Sequence, residues 1–135
     1  MDNLTKEQRR INMQNIRSTG TRPEILIKKE LKRRKIYFTQ HIKTLPGKPD
    51  FVFRRKKVAV FIDSDFWHGN PERFIMPETN KEYWENKINK NKIRDESINK
   101  ELGKLGWQVI RIWVSDLKNN YNGKINVILT SIGKI

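Results

Sequence analysis

The sequence predicts a single domain of the α/β or mixed α+β class, in which a central mixed sheet is flanked by helices. Three segments carry this prediction. The stretch "DFVFRRKKVAVFID", residues 50–63, has two apolar arms around a basic turn and predicts two strands, the second of which is apolar on both faces and therefore central. A long polar helix is predicted from about Lys81, and "WQVIRIW" after Gly106 predicts a further strand.

The N-terminal part of the chain predicts two helices. The stretch "LTKEQRRINMQNIR", residues 4–17, carries too few apolar side chains for a core helix, which favours a basic arm that lies on a partner. The stretch "TRPEILIKKELKRRK", residues 21–35, has Thr21 as its cap and Pro23 in its first turn. The buried side of this second helix is predicted to consist of Ile25, Leu26 and Leu31.

Three remaining segments complete the predicted order of elements. The stretch "IYFTQ", residues 36–40, predicts a strand. Residues 64–80 predict a long loop, and a loop of that length in a small domain is usually functional. The closing stretch "GKINVILTSIGKI", residues 123–135, is compatible with a helix or a strand, because its apolar period does not decide between them.

Charge is the strongest signal in the composition. The 135 residues include 29 Lys and Arg against 15 Asp and Glu, so the net charge is 29 − 15 = +14. This excess predicts a polyanionic partner, with nucleic acid first. No long apolar run and no signal-peptide core is visible, so a membrane partner is not expected. The absence of cysteine excludes disulfides and cysteine-ligated zinc, and fits a cytoplasmic protein.

Two aspartates stand where predicted strand ends meet. Asp50 opens the first strand of the hairpin and Asp63 closes the second, so the two carboxylates are expected to converge. Such a pair suits Mg²⁺, which prefers oxygen ligands. Turn formation or pairing with lysine is an equally open interpretation. Alternation along the strand directs Asp63 to one face, while Ile62 packs in the core and still offers its backbone carbonyl to a metal.

The chain has two histidines, and they receive different interpretations. His68 follows Asp63 by five residues and could accept a proton from an attacking water beside a metal. An ordinary loop histidine is the alternative. His41 is expected at a strand end with no acidic neighbours, which favours a structural role or a phosphate contact.

Three aromatic side chains and one glutamate also have two interpretations each. Phe66 and Trp67 are adjacent in the long loop, and Trp84 lies near the start of the polar helix. They suit stacking on bases of a nucleic acid, or burial over the core. Glu24, three residues after Thr21, suits a capping box, which leaves room for a second role through metal-bound water.

Several stretches together resemble the very-short-patch repair (Vsr) DNA mismatch endonucleases. They are "INMQNIRSTGTRPE", "LPGKPDFVF", "VAVFIDSDFWHG", "EYWENKINKNKIRD" and "LGWQVIRIWVSDL", in this order over nearly the whole chain. The resemblance implies a fold related to the PD-(D/E)XK, restriction-endonuclease-like nucleases. It also implies a basic DNA-contacting arm over residues 1–20 and an endonuclease domain over residues 21–135.

The resemblance assigns roles to individual residues. It implies metal binding by the Asp50 carboxylate and the Ile62 carbonyl, water activation by His68, and an acidic role near the metal-bound water for Glu24. Asp63 is a further catalytic candidate. The residues that the resemblance and the basic surface predict to contact DNA are Phe66, Trp67, Trp84, Met13, Asn91 and Lys48.

Two departures from the family pattern change what is expected. Family members usually carry a structural zinc, but Asp65 stands where a cysteine would precede "FWH", so no structural zinc is expected. Asp63-Ser64 replaces a common His-Gly pair, which makes Asp63 a third metal ligand or an altered phosphate contact.

The leading hypothesis is an Mg²⁺-dependent endonuclease that nicks one strand at T:G mispairs in double-stranded DNA. The expected protein is a monomer in the bacterial cytoplasm, associated with the nucleoid, with mismatch-repair proteins as candidate partners. The alternatives are a related nickase or restriction-linked nuclease with another target, and a non-catalytic basic DNA-binding module.

Overall fold

The computed structural model describes residues 22–65, 69–70 and 76–134, and these form a three-stranded sheet with helices on both faces. This architecture confirms the predicted mixed α+β class. The predicted arm of residues 4–17 lies outside the described residues. The described elements are α1 (Arg22–Arg33), β1 (Phe51–Phe53), β2 (Val58–Asp63), α2 (Lys81–Lys104), β3 (Gln108–Trp113), α3 (Val114–Asn119) and α4 (Tyr121–Ser131).

The first two strands form the predicted antiparallel hairpin. Phe51 pairs with Val60, and the basic residues between the strands form the turn. Lys57 closes this turn in the left-handed region, at φ 53°, and its N–H donates to the Arg54 carbonyl at 3.2 Å. The hairpin therefore brings the start of β1 to the end of β2.

Strand β2 is the centre of the sheet, as its apolar faces predicted. It pairs with β1 on one side and runs parallel to β3 on the other, from Val58↔Gln108 to Asp63↔Trp113. A parallel pair needs a long crossover connection, and α2 lies within it. Residues of β2 alternate between two apolar clusters, so both of its faces are buried.

The two clusters define the layers of the fold. On one face of the sheet, α1, α3 and α4 contribute to the larger cluster together with side chains of all three strands. On the other face, Leu102 of α2 packs with Ala59 and Phe61 of β2. No helix in the described part of the chain is long and apolar enough to span a membrane.

Three local predictions are corrected or decided. The expected strand over 36–40 is reduced to a single bridge between Thr39 and Val52, because the chain turns at His41, which has φ 52°. The closing segment forms a helix, α4, whose buried residues are spaced at helical intervals. Ile25 and Leu26 were expected to be buried, but they are 44% and 47% exposed.

The buried face of α1 contains Leu31, as predicted, but has Glu24 and Ile27 in place of Ile25 and Leu26. Ile27 and Leu31, four residues apart, are fully buried. Glu24 precedes Ile27 by three residues and lies on the same face, so a carboxylate occupies a position that the helical period reserves for the core. This placement is the first indication that Glu24 has a role beyond a helix cap.

Candidate active site

Asp50 is held at the point where β1 begins and β2 ends. Its Oδ2 accepts a hydrogen bond from the backbone N–H of Ile62 at 2.6 Å, and the residue is only 6% exposed. The predicted convergence of the two strand ends therefore places the Asp50 carboxylate against the main chain of Ile62.

Glu24 reaches the same place from α1. It is 3% exposed, and its carboxylate lies close enough to Asp50 to affect the ionisation of that residue. Burial, followed by the neighbouring Glu24 carboxylate, raises the pKa of Asp50 from 3.8 to about 7, against the opposing effect of the hydrogen bond from Ile62. Two carboxylates forced together in this way favour a shared proton or a bound cation.

His41 completes the cluster, and the expectation that it has no acidic neighbours is wrong. Its Nε2 lies 2.9 Å from Oε1 of Glu24, and its Nδ1 lies 3.8 Å from Oδ1 of Asp50. The backbone places it there, because the His41 N–H donates to the Pro49 carbonyl at 3.0 Å. The sequence held a usable signal: residues 36–40 and 50–53 were both predicted as extended, and a hairpin between them sets position 41 beside Asp50.

The cluster fits a divalent cation. Ligand atoms of Glu24, His41 and Asp50 all lie within 4.8 Å of one another. The Nδ1 atom of His41 is buried and has no hydrogen-bond partner among the described residues. Two carboxylates and one imidazole are ordinary ligands of divalent metals, and a cation would offset the repulsion between the carboxylates.

Asp63 has a different neighbourhood from the one expected of a metal ligand. Its two carboxylate oxygens accept hydrogen bonds from Nη1 of Arg111 at 3.0 and 3.2 Å. Arg111 also lies 4.2 Å from the ring centroid of Phe61 and donates through Nε to Asn99. Asp63 therefore joins an ion pair that ties β2 to β3 and α2, and it does not belong to the Glu24–His41–Asp50 cluster.

The loop that follows β2 is attached at both ends of the "FWH" segment. Asp65 accepts hydrogen bonds from the hydroxyl and the N–H of Ser115, at 2.7 and 3.1 Å, and from the side-chain amide of Asn70 at 2.8 Å. Gly69 has φ +61°, and a β-carbon there would come within 2.6 Å of Ile88 and Lys92 on α2. We call Asp65, Asn70 and Ser115 the loop clasp.

The remaining predicted site residues fall into two groups. Trp84 is half-buried in the first turn of α2 with its ring edge-to-face with Tyr83, Asn91 is half-buried on the same helix, and Lys48 is exposed before Asp50. The residues outside the described part of the chain are Met13, Phe66, Trp67 and His68.

Comparison with known proteins gives the class of enzyme to which this cluster belongs. The family model described as DNA mismatch endonuclease Vsr matches residues 1–72, which include Glu24, His41 and Asp50. This basic chain is therefore a DNA endonuclease, a hydrolase that cuts phosphodiester bonds.

Relatives in several bacteria make the identification specific. The type II nicking enzyme V.NmeDIP of Neisseria meningitidis serogroup C is 39% identical over 122 residues, 89% of this chain and 82% of its own. The type II nicking enzyme V.HpaIIP of Haemophilus parainfluenzae is 37% identical over 123 residues, 89% and 87% of the two chains. The DNA mismatch endonuclease Vsr of Escherichia coli K12 is 33% identical over 114 residues, 84% and 73% of the two chains. The chain belongs to the Vsr DNA mismatch endonuclease family.

Proposed function

We propose that the protein is an Mg²⁺-dependent endonuclease that nicks one strand of DNA 5′ of the thymine in a T:G mispair. Such mispairs arise when 5-methylcytosine deaminates. The observation that carries the proposal is the buried cluster of Asp50, Glu24 and His41 at the end of the sheet in a chain of net charge +14. A protein that only bound DNA would have no use for two carboxylates buried together, since both repel phosphate.

The proposed roles rest on the family resemblance and on the positions of Asp50, Glu24 and Ile62. Asp50 and Glu24, with the Ile62 carbonyl, would hold the cation, which when bound supplies charge stabilisation at the phosphate and a more acidic water. The hydrogen bond from the Ile62 N–H fixes one oxygen of Asp50, which leaves the other directed to the cluster. His68 is proposed to take the proton of the attacking water as the phosphodiester bond breaks.

Selectivity for a mispair has a physical source in the cost of opening the duplex. A mispaired step stacks and pairs less well than a matched step, so less energy is needed to insert a side chain there. Phe66, Trp67 and Trp84 are the proposed wedge, and the basic arm of residues 1–20 is proposed to hold the duplex against it. The match of the family model to residues 1–72 supports including this arm in the DNA-binding part of the enzyme.

A second candidate is a nickase that recognises another target. It is favoured by the names of V.NmeDIP and V.HpaIIP, which are type II nicking enzymes. The test is single-turnover cleavage of end-labelled duplexes that differ only in one base pair: T:A, T:G and each other mispair. Selective nicking at T:G supports mismatch repair. Equal nicking of matched and mismatched duplexes, or selectivity for another mispair, supports the second candidate.

A further inference from the structure

We propose that His41 is a nitrogen ligand of the catalytic cation, oriented by Glu24, and that it shifts the metal preference of the site towards Mn²⁺ over Mg²⁺. This inference rests on the proposed metal-dependent function and gives His41 a role other than the structural or phosphate-binding one that the sequence favours. It is carried by the orientation of the imidazole, the burial of Nδ1 and the backbone at position 41.

The two nitrogens of His41 face different carboxylates at different distances. Nε2 lies 2.9 Å from Oε1 of Glu24, so the ring edge that carries Nε2 is held against this carboxylate. The other ring nitrogen, Nδ1, makes no hydrogen bond to the described residues. A histidine that binds a metal through one nitrogen commonly donates the other N–H to a carboxylate, which fixes its tautomer and raises its basicity.

The Nδ1 atom faces Asp50 at a distance suited to sharing a cation. It lies 3.8 Å from Asp50 Oδ1, which is too far for a hydrogen bond. A ligand atom usually lies about 2.0–2.2 Å from Mg²⁺ or a first-row divalent metal, so one cation can contact both atoms. The contact with Glu24 alone would not require Nδ1 to face Asp50.

The burial of Nδ1 and the backbone strain at His41 both favour a functional role for this residue. Its Nδ1 atom is buried without a hydrogen-bond partner among the described residues, which is unfavourable unless another group takes the lone pair. The residue has φ 52°, in the left-handed region that side chains other than glycine seldom adopt. Strain of this kind concentrates at functional sites, where the surrounding structure maintains it.

The nitrogen donor has a consequence for the choice of metal. Carboxylate oxygens suit Mg²⁺, Ca²⁺ and Mn²⁺, whereas imidazole suits first-row transition metals. A set of Asp50, Glu24 and His41 should therefore bind Mn²⁺, which accepts both kinds of donor, more strongly relative to Mg²⁺ than a set of oxygen ligands alone would. Replacement of the imidazole by an amide oxygen should reduce that advantage.

The direct test is pulsed electron paramagnetic resonance of Mn²⁺ bound to the full chain. The wild-type protein should show electron spin-echo modulation from a coordinated nitrogen-14. His41→Gln should remove the modulation, and His68→Gln should retain it. Calorimetric titration should show that His41→Gln weakens Mn²⁺ binding by about 10–100-fold and Mg²⁺ binding by less.

Isotope labelling covers the case in which His41→Gln does not fold. The chain has two histidines, so in a His68→Gln protein labelled with nitrogen-15 histidine, His41 is the sole labelled residue. Its Mn²⁺ spectrum should show nitrogen-15 in place of nitrogen-14 coupling. Absence of any nitrogen coupling in the wild-type protein would overturn the assignment, as would a coupling that His68→Gln removes.

A separate variant distinguishes failure of this inference from failure of the proposed function. Asp50→Asn should weaken the binding of both Mn²⁺ and Mg²⁺ strongly. If Asp50→Asn binds both metals as the wild type does, the cluster is not the metal site and the proposed metal-dependent function fails with it. If Asp50→Asn loses both metals while His41→Gln changes neither spectrum nor affinity, only the role of His41 is wrong.

Discussion

The backbone N–H of Ile62 donates a hydrogen bond of 2.6 Å to the Asp50 carboxylate. The bond links the residue immediately before β1 to the penultimate residue of β2. The donor is a main-chain group, so the position of the carboxylate depends on the register of the hairpin and not on a replaceable side chain. Register is fixed in turn by the apolar faces of β2, which are buried on both sides. The fold thereby holds the central acid of the candidate site.

Replacement of Asp50 should abolish catalysis while DNA binding persists. Asp50→Ala removes the proposed metal ligand, and we expect single-turnover nicking of a T:G duplex to fall by several orders of magnitude. Duplex affinity should be nearly unchanged, because it depends mainly on the +14 net charge. Glu101→Gln, an exposed acid on α2, is the matched control and should nick normally. Efficient nicking by Asp50→Ala would exclude the proposed metal site.

The metal-free protein should become less stable as the pH rises from about 4 to about 7. Asp50 loses its proton near pH 3.8 in the unfolded chain but near pH 7 in the folded protein, because burial and Glu24 raise its pKa. Between these values the folded state holds the additional proton, so its contribution to stability is present at low pH and is lost as the pH approaches 7. The measurement is the urea midpoint in EDTA at pH 5 and pH 7.

Asp50→Asn separates this effect from other titrating groups. The variant cannot titrate at position 50, so the difference between its stability and that of the wild type should change with pH by up to a few kcal/mol. Added divalent metal should stabilise the wild type more at pH 7.5 than at pH 5.5, since metal and proton compete for the same oxygens. A pH-independent difference between the two proteins would contradict the raised pKa.

The hairpin and its acidic corner were predictable from the sequence because they depend on local signals. Two apolar arms around a basic turn fix β1 and β2, and the hairpin then brings Asp50 to Ile62 without further information. His41 was not found, because the pairing of the two extended segments 36–40 and 50–53, which would set it beside Asp50, depends on how residues 42–48 return the chain to Pro49. That return requires left-handed backbone at Gly47 and Lys48, and of these two residues only the glycine indicates a left-handed conformation from its type.

Glu24 and Asp63 show why the side-chain environment was harder to predict than the elements. The capping interpretation of Glu24 used its distance from Thr21, whereas its burial depends on which face of α1 packs on the sheet. The position of Asp63 at the end of β2 was predicted, but its partner, Arg111, lies 48 residues further along the chain. A parallel pairing of β2 with β3 creates that contact, and the pairing partner of a strand is not a local property.

The loop clasp should stabilise the fold without zinc. Ser115→Ala removes one hydrogen bond to the Asp65 carboxylate, and we expect a loss of about 1 kcal/mol in the free energy of unfolding. Ser97→Ala, at an exposed position on α2, is the control and should have little effect. A chelator that removes zinc in the presence of excess Mg²⁺ should leave Tm unchanged, because Asp65 stands where a zinc-binding cysteine would be expected. Stoichiometric zinc in the purified protein would contradict this prediction.

DNA binding should depend strongly on salt concentration. If roughly six phosphates are neutralised, the slope of log K against log salt should be about −5. Lys48→Gln should reduce the magnitude of the slope by about 1 if this exposed lysine contacts a phosphate, whereas Lys134→Gln, beyond α4, is expected to leave it unchanged. A slope close to zero for the wild type would remove DNA from the list of its partners.

Replacement of a residue in the proposed wedge should lower the selectivity for mismatched DNA without lowering the stability of the fold. Trp67→Ala should cost roughly 1–3 kcal/mol of binding, mainly on T:G duplex, because only an opened step can accept the ring. If Trp67 instead packs in the core, the same change should lower the free energy of unfolding by roughly 3–5 kcal/mol and weaken binding to all duplexes alike. Melting and binding to T:A and T:G duplexes are therefore measured on the same protein.

Trp107 supplies the control that makes the wedge experiment decisive. It is half-buried and packs against the cluster of Ala59, Phe61 and Leu102, so Trp107→Ala should destabilise the fold without changing the ratio of T:G to T:A binding. Trp84 is half-buried beside the exposed Tyr83, so part of the Trp84 ring reaches the surface. Trp84→Ala should therefore cause a smaller loss of stability than Trp107→Ala and a smaller loss of T:G selectivity than Trp67→Ala. If Trp67→Ala behaves as Trp107→Ala does, with lost stability and unchanged selectivity, the wedge is wrong and the enzyme must recognise the mispair through other side chains.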